Sequence, residues 1–374
     1  MSINDYVTLG RSGLRVSPLT LGTMTFGTEW GWGSEESTAR AIFDRYLEVG
    51  GNMLDTADGY TNGKSEELLG KFIQESGLRD RVVLATKFTF SGDPTNPNAG
   101  GNGRKNIYRA LHGSLRRLRT DYIDLYWLHA WDTVTPVEEV VSTLNDLVRE
   151  GKILHYGFSD TPAWYVARAY TLAEKEGKDR VAALQLEYSL VERNIEREHI
   201  PVAQELGLAV CPWSPIAGGF LAGKYRREGD SGRGEGRLEQ TKDHPVLGKV
   251  LRSDQNWRIV NSVVDVAKKI GKTPAQVALN WVATQPGVTS TIIGATKLAQ
   301  LEDNFGALKF TIPAELGQQL DEVSALSSAH PYLFFGGVLQ AMINGNVPVQ
   351  PWRRVHATGA IEPPVASAKT AAGD

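Results

Sequence analysis

Short apolar or β-branched runs alternate with longer stretches of helical period along most of the chain, at residues 18–21, 52–55, 82–87, 123–129, 153–159, 182–185, 208–213 and 289–294. Runs of this length between turn residues read as buried strands. The intervening stretch 34–47 places Ala39, Ile42, Phe43 and Tyr46 near i, i+3, i+4 and i+7, one buried helix face behind a Ser34 cap. Thr135-Pro136 and Thr273-Pro274 set a capping hydroxyl ahead of a proline that opens a helix. Gly50, Gly151 and Gly207 mark helix ends, where a left-handed residue is needed. Strand then helix, eight times, predicts an α/β protein with a parallel sheet, and the count of eight favours closure into a (β/α)8 TIM barrel over an open sheet. Residues 6–9 and 14–16, joined by Gly10-Arg-Ser-Gly13, predict an N-terminal β-hairpin closing the barrel floor.

The repeat is interrupted after the seventh run, where residues 218–249 are rich in Gly, Arg, Glu and Asp and predict a long loop at the top of the barrel. A second insertion, 91–103, follows the third run. Periodicity ends near residue 327, so the chain divides into a barrel, 1–326, and a C-terminal extension, 327–374, whose last residues are of disordered composition.

Composition narrows the function. Apolar residues make up 41% and charged residues 22% of the chain, ordinary globular usage. With 40 Lys and Arg against 43 Asp and Glu, the net charge of −3 supplies no basic field for nucleic acid or a membrane surface. One cysteine, Cys211, leaves no internal disulfide and no thiolate-rich metal site, and the other histidines show no metal-ligand spacing, so no metal is expected. The first nine residues lack the layout of a secretory signal and no apolar run of about 18 residues occurs, which predicts a cytoplasmic protein.

Barrel chemistry gathers at the carboxyl ends of the strands. Those ends are Thr23, Asp55, Lys87, His129, Ser159, Gln185, Trp213 and Gly294. Buried strands that finish in Asp, Lys, His and Gln are improbable as packing, because each charge needs a partner or an opening to solvent. Tyr60 follows Asp55 by five residues, close enough to face one pocket with it. Lys87 could pair with Asp55 and lower the Tyr60 pKa from about 10, making the phenol a proton donor, while His129 bonds a substrate oxygen without being charged. Singly, each of the four reads as well as a cap, wall, rim or core residue. Together, on consecutive strands and one loop, they point to catalysis. Gly218 and Gly219 allow backbone amides to approach an anion, and the segment after the eighth strand opens a helix whose amino end favours phosphate.

These residues resemble the aldo-keto reductase family. Its Asp, Tyr, Lys and His tetrad appears as Asp55, Tyr60, Lys87 and His129. Asp55-Thr-Ala57 with Glu66-Glu-Leu-Leu-Gly70 is similar to the family's first signature, and Asp124-Leu-Tyr-Trp-Leu-His129 to its histidine strand. The resemblance spans residues 6–326 and implies a reductase that moves a hydride between NADP(H), with NAD(H) as the alternative, and an aldehyde or ketone. It further implies a cofactor seat. Gly22, Thr23 and Met24 end the first strand; Ser159, Asp160 and Gln185 would hold the nicotinamide carboxamide, with Asp160 standing where many members carry Asn. Trp213, Ser214, Pro215, Ile216, Gly218 and Lys224 would form the pyrophosphate loop. Ile293, Gly294, Ala295, Thr296, Gln300, Asp303 and Asn304 would form the adenosine segment, with Arg237 helping from the long loop.

Trp30 and Trp32 after the first strand, Phe88 and Phe90 after Lys87, and Trp127 and Trp131 around His129 all lie near the expected mouth and suit an aryl or bulky apolar carbonyl, with Trp32, Phe88 and Trp131 the expected substrate wall. The run 93–104 and the His129-Ala-Trp-Asp132 turn resemble the aryl-alcohol dehydrogenase branch of the family. The expected partner is a small carbonyl compound, with a homo-oligomer left open. Two rival readings keep the barrel: a nucleotide-sensing subunit like the potassium-channel β subunits of this family, and an isomerase or lyase using Lys87 as a Schiff base.

Overall fold

The computed structural model describes residues 1–228, 231–234, 236–240, 242, 247–335, 337–345 and 347. Its first two strands, β1 (Val7–Thr8) and β2 (Arg15–Val16), form the expected antiparallel hairpin. Leu9 and Val16 are buried with Met53, Val83, Ala85, Leu125, Ala183 and Ala209 inside the ring of strands that follows, and Arg11 N–H donates to Gly207 O at 2.9 Å. Gly207 and Ala209 lead into their strand, so the hairpin covers the amino-terminal end of the ring.

The ring is built from β3 (Leu19–Gly22), β4 (Met53–Asp55), β5 (Val83–Phe88), β6 (Ile123–Leu128), β7 (Ile153–Ser159), β8 (Ala183–Gln185), β9 (Ala209–Val210) and, after the interruption, β12 (Thr291–Ile293). All pairs are parallel, in the order β12-β3-β4-β5-β6-β7-β8-β9. Thr289 N–H to Val210 O and Ile292 N–H to Pro212 O, both 2.8 Å, join the last strand to β9 and complete the (β/α)8 TIM barrel.

Helices α1 (Glu36–Glu48), α2 (Lys64–Ser76), α3 (Arg104–Leu118), α4 (Val137–Arg149), α5 (Ala163–Lys175) and α6 (His199–Leu206) follow β3 to β8 in turn. On α1 the buried residues are Ala39, Ile42, Phe43 and Tyr46, the face read from the spacing. The interruption is not a bare loop. A hairpin, β10 (Tyr225–Glu228) and β11 (Ser231–Gly234), precedes one-turn α7 (Arg237–Gln240) and the long α8 (Asp254–Ile270). Buried Tyr225 and Trp257 anchor this excursion to the body, which is why polar composition alone misread it. Then come α9 (Pro274–Ala283), α10 (Leu298–Phe305) after β12, and α11 (Ala314–Val323).

Thr273 caps α9 in a full capping box with Gln276. The other two expected caps fail: α1 starts after Glu35 and α4 after Pro136, neither with a side-chain cap. Ser34 instead bridges the loop after β3 through its backbone to Thr25 and Gly27, and the Thr135 hydroxyl donates to Asp132. By its own contacts the chain separates into Met1–Leu326 and Ser327–Asp374. The second unit holds α12 (Gly337–Ile343), and the disorder expected of the last residues falls outside the described part of the chain. No helix among the described residues is long and apolar enough to cross a membrane.

Candidate active site

The strand ends converge on a cavity of ≈ 1460 Å³ at the carboxyl end of the barrel, more than one small substrate needs. At its floor, fully buried Lys87 Nζ donates to Asp55 Oδ2 at 2.5 Å, to Thr56 O at 2.7 Å and to Tyr60 Oη at 3.3 Å. Alternation along β5 turns Lys87 inward with Ala85 and fixes this contact. Gln185 Nε2 donates to the other Asp55 oxygen at 2.9 Å, so both carboxylate oxygens have a partner. The His129 ring lies edge-on to Tyr60, with centroids 6.0 Å apart.

Burial opposes the ammonium of Lys87, but Asp55 and Tyr60 beside it outweigh burial and hold its pKa above the ordinary lysine value. Lys87 therefore stays charged near neutrality, a poor nucleophile, which disfavours a Schiff-base role. Tyr60 departs from expectation. Burial raises its pKa above the ordinary phenol value and outweighs the lowering by Lys87, so the phenol keeps its proton until something changes its surroundings. For His129, burial and then Lys87 push the pKa well below the usual imidazole value, leaving a neutral ring whose Nδ1 is buried without a partner.

The expected nucleotide-seating residues whose side chains are described line the same cavity, with one exception. Gly22 and Met24 line it, whereas Thr23 is fully buried behind Asp55, its hydroxyl bonded to Asp55 O and Ser65 Oγ. Ser159, Asp160 and Gln185 line it from β7 and β8. The Gln185 amide is held by Asp55, while the Ser159 Oγ is buried with no partner and Asp160 Oδ1 accepts from Trp213 Nε1 at 3.1 Å. Trp213, Ser214, Pro215, Ile216, Gly218 and Lys224 line one side. Ile293, Gly294, Ala295, Thr296, Gln300, Asp303 and Asn304 line the other. Arg237 opens α7, but its side chain lies outside the described part of the chain.

The site passes a test for a dinucleotide on its own features. Ser214, Ala217, Gly218 and Gly219 all have positive φ, 55°, 49°, 63° and 94°, in a tight turn whose amides at Ala217, Gly218 and Gly219 donate to Ser214 O, Ser214 Oγ and Ile216 O and which brings backbone close to the cavity. Lys224 and Lys297 bring positive charge to the walls, and Ser159 offers its unpartnered hydroxyl.

The substrate wall needs correction. Phe88 follows Lys87 on β5 and so faces the opposite way, fully buried against Tyr126 with centroids 4.9 Å apart. The residue at the cavity is Phe90, whose ring meets His129 edge-on at 4.6 Å. Trp32 is absent from the lining and lies tilted against Trp30, centroids 5.5 Å apart; Trp30 lines the cavity and meets Tyr60 edge-on at 6.3 Å. Trp131 turns away onto Trp164 and Tyr165. Counting parity from Lys87 would have rejected Phe88, because side chains alternate along a strand. Ser253 and Asn256 at the start of α8 also line the cavity, and no local pattern in the sequence marks them.

Residues 18–325 match the aldo/keto reductase family. Among curated proteins, the NADP(+) aryl-alcohol dehydrogenase of Phanerodontia chrysosporium is 33% identical over 340 residues, covering 87% of this chain and 86% of the relative. The norsolorinic acid reductase of Emericella nidulans is 35% identical over 333 residues, 86% of this chain and 82% of its own. A probable voltage-gated potassium channel subunit beta of Oryza sativa subsp. japonica is 35% identical over 330 residues, 87% of this chain and 98% of its own.

Proposed function

Because the chain belongs to the aldo/keto reductase family, we propose that this oxidoreductase reduces aryl or other bulky apolar aldehydes and ketones with NADP(H), and reversibly oxidises the alcohols, with Tyr60 as the proton donor. A bound nicotinamide supplies the hydride. The remaining chemistry belongs to the chain. Tyr60 Oη carries the proton into the cavity, and the carbonyl oxygen takes it as negative charge develops there. The Lys87 ammonium, 3.3 Å from Oη, stabilises the phenolate left behind, and Asp55 holds Lys87 in place. His129, neutral at working pH, bonds the carbonyl oxygen and orients it. Trp30 and Phe90 exclude water and receive an apolar ring.

Ser159, Asp160 and the trio of Trp213, Ser214 and Lys224 would hold the cofactor on one side, Gly294 to Asn304 on the other. The observation that carries the reading is the buried Asp55–Lys87 pair within hydrogen-bond reach of a protonated Tyr60 at the floor of a cavity with an aromatic mouth. The NADP(+) aryl-alcohol dehydrogenase among the relatives supports both cofactor and substrate class.

The test follows NADPH and NADH consumption over a panel of aryl and aliphatic aldehydes and ketones, with Tyr60→Phe alongside. We expect turnover with NADPH and a loss of about 100-fold or more in Tyr60→Phe, with nucleotide binding retained. Wild-type turnover in Tyr60→Phe removes Tyr60 from the mechanism. The channel-subunit relative gives the second reading its weight; NADPH binding without turnover on any carbonyl would favour a nucleotide-sensing subunit.

A further inference from the structure

The end of β7 carries a carboxylate that the proton relay leaves over. Asp160 sits in the left-handed region at φ 41°. Its N–H donates to Gln185 O and its carbonyl accepts from Trp131 N–H, both at 3.3 Å, which pins it between neighbouring strand ends. The carboxylate lines the cavity beside Ser159 and Gln185, and Oδ1 accepts a hydrogen bond from Trp213 Nε1 at 3.1 Å. Among the described residues Asp160 makes no ion pair. The cation that acts on it, Lys87, is already in contact with Asp55 at 2.5 Å. Two carboxylates thus face one ammonium, and one negative charge is open to whatever fills the cavity. The side chain is exposed at the cavity wall, and partial desolvation there lifts the Asp160 pKa to about 6.

We propose that the Asp160 carboxylate is the counterion of the oxidised, positively charged nicotinamide ring, so that the protein holds NADP+ more tightly relative to NADPH than a neutral side chain at this position would. This rests on the reading of the cavity as a nicotinamide nucleotide site. The two redox forms share their carboxamide, riboses and phosphates and differ by one positive charge on the ring. A fixed carboxylate at the wall discriminates between them by Coulomb attraction alone. Lys87 does not cancel that attraction, because its charge is committed to Asp55 and directed at Tyr60. The consequence is a lowered potential of the bound couple, which makes bound NADPH a stronger hydride donor and slows the release of NADP+.

Calorimetric titration of wild type, Asp160→Asn and Ser159→Ala with NADP+ and with NADPH at pH 8 reads both dissociation constants without turnover. Asn is tolerated at positive φ and keeps an oxygen for Trp213, so Asp160→Asn is expected to fold. It should raise the ratio of Kd for NADP+ to Kd for NADPH by about tenfold, equivalent to about 30 mV for a two-electron couple. Ser159→Ala removes a neutral group from the same wall and should weaken both forms alike. A ratio in Asp160→Asn within about twofold of wild type overturns the proposal while leaving the nucleotide site standing, and so does an equal rise in Ser159→Ala. If wild type binds neither form, the nucleotide reading fails and the proposal falls with it.

Discussion

Asp58 shows how one side chain placed between Asp55 and Tyr60 can work against the fold. It follows the strand that carries Asp55, its Oδ1 is buried without a partner, and burial followed by the charge of Glu66 pushes its carboxyl up to about 7 against the pull of Arg117 and Arg109. In the unfolded chain an aspartate titrates near about 3.9. Between those values the folded state binds more protons than the unfolded, so this group's contribution falls as pH rises from about 4 to about 7. Asp58→Asn should therefore gain about 2 kcal/mol at pH 8 and nothing at pH 4, read from urea or thermal unfolding at both values. An equal effect at the two pH values would exclude ionisation as the cause. At this scale the sequence picked out Asp55, Lys87 and His129 as strand ends and Tyr60 by its five-residue distance from Asp55, and the structure brings the four together. It misplaced Phe88, because residue type was weighed without the strand's parity. The direction of the Tyr60 pKa was also out of its reach, since burial is set by residues far away in the chain.

The β6–β7 pair shows how an element accommodates its neighbour. An added Cβ on Gly157 would stand 2.3 Å from the Trp127 ring, which fills the barrel interior beside it. Gly157→Ala should cost about 2 kcal/mol or more by overpacking, and the loss should shrink when Trp127→Leu is added, the non-additivity expected of contacting residues. Absence of any coupling in thermal unfolding would mean that the indole is not what fills the space. The α9 start offers a contrast. Its Thr273 box predicts a loss of about 1 kcal/mol for Thr273→Ala, whereas Ser34→Ala and Thr135→Ala should not lose a cap, because neither caps its helix. The capping signal was legible at all three sites and true at one. At the other two, a bridge from Ser34 to Thr25 and the acceptor Asp132 captured the chain first.

The whole molecule assembles one cavity from loops that are distant in sequence, and its mouth is the part the proposed substrate class depends on. Trp30→Ala and Phe90→Ala should each raise KM for aryl aldehydes by about tenfold while changing small aliphatic aldehydes little, since each removes roughly 1.4 kcal/mol or more of ring contact. Equal losses on both classes would place the rings in structural support instead. If the cavity holds the cofactor, NADP+ at about 100 times its Kd should stabilise the fold by about 2.7 kcal/mol, visible as a rise in Tm. The sequence by itself determined the repeat of eight strands, their helices, the floor hairpin and the family, because hydrophobic period and strand-end chemistry are local properties written in order along the chain. Only the tertiary structure decided that Thr23 is turned behind Asp55, that Trp30 and Phe90 are the aromatic residues lining the mouth, that the start of α8 contributes Ser253 and Asn256, and that Asp160 makes no ion pair among the described residues. Those outcomes depend on which side chains meet across the ring and how much water they exclude, and proximity of that kind has no fixed spacing in sequence.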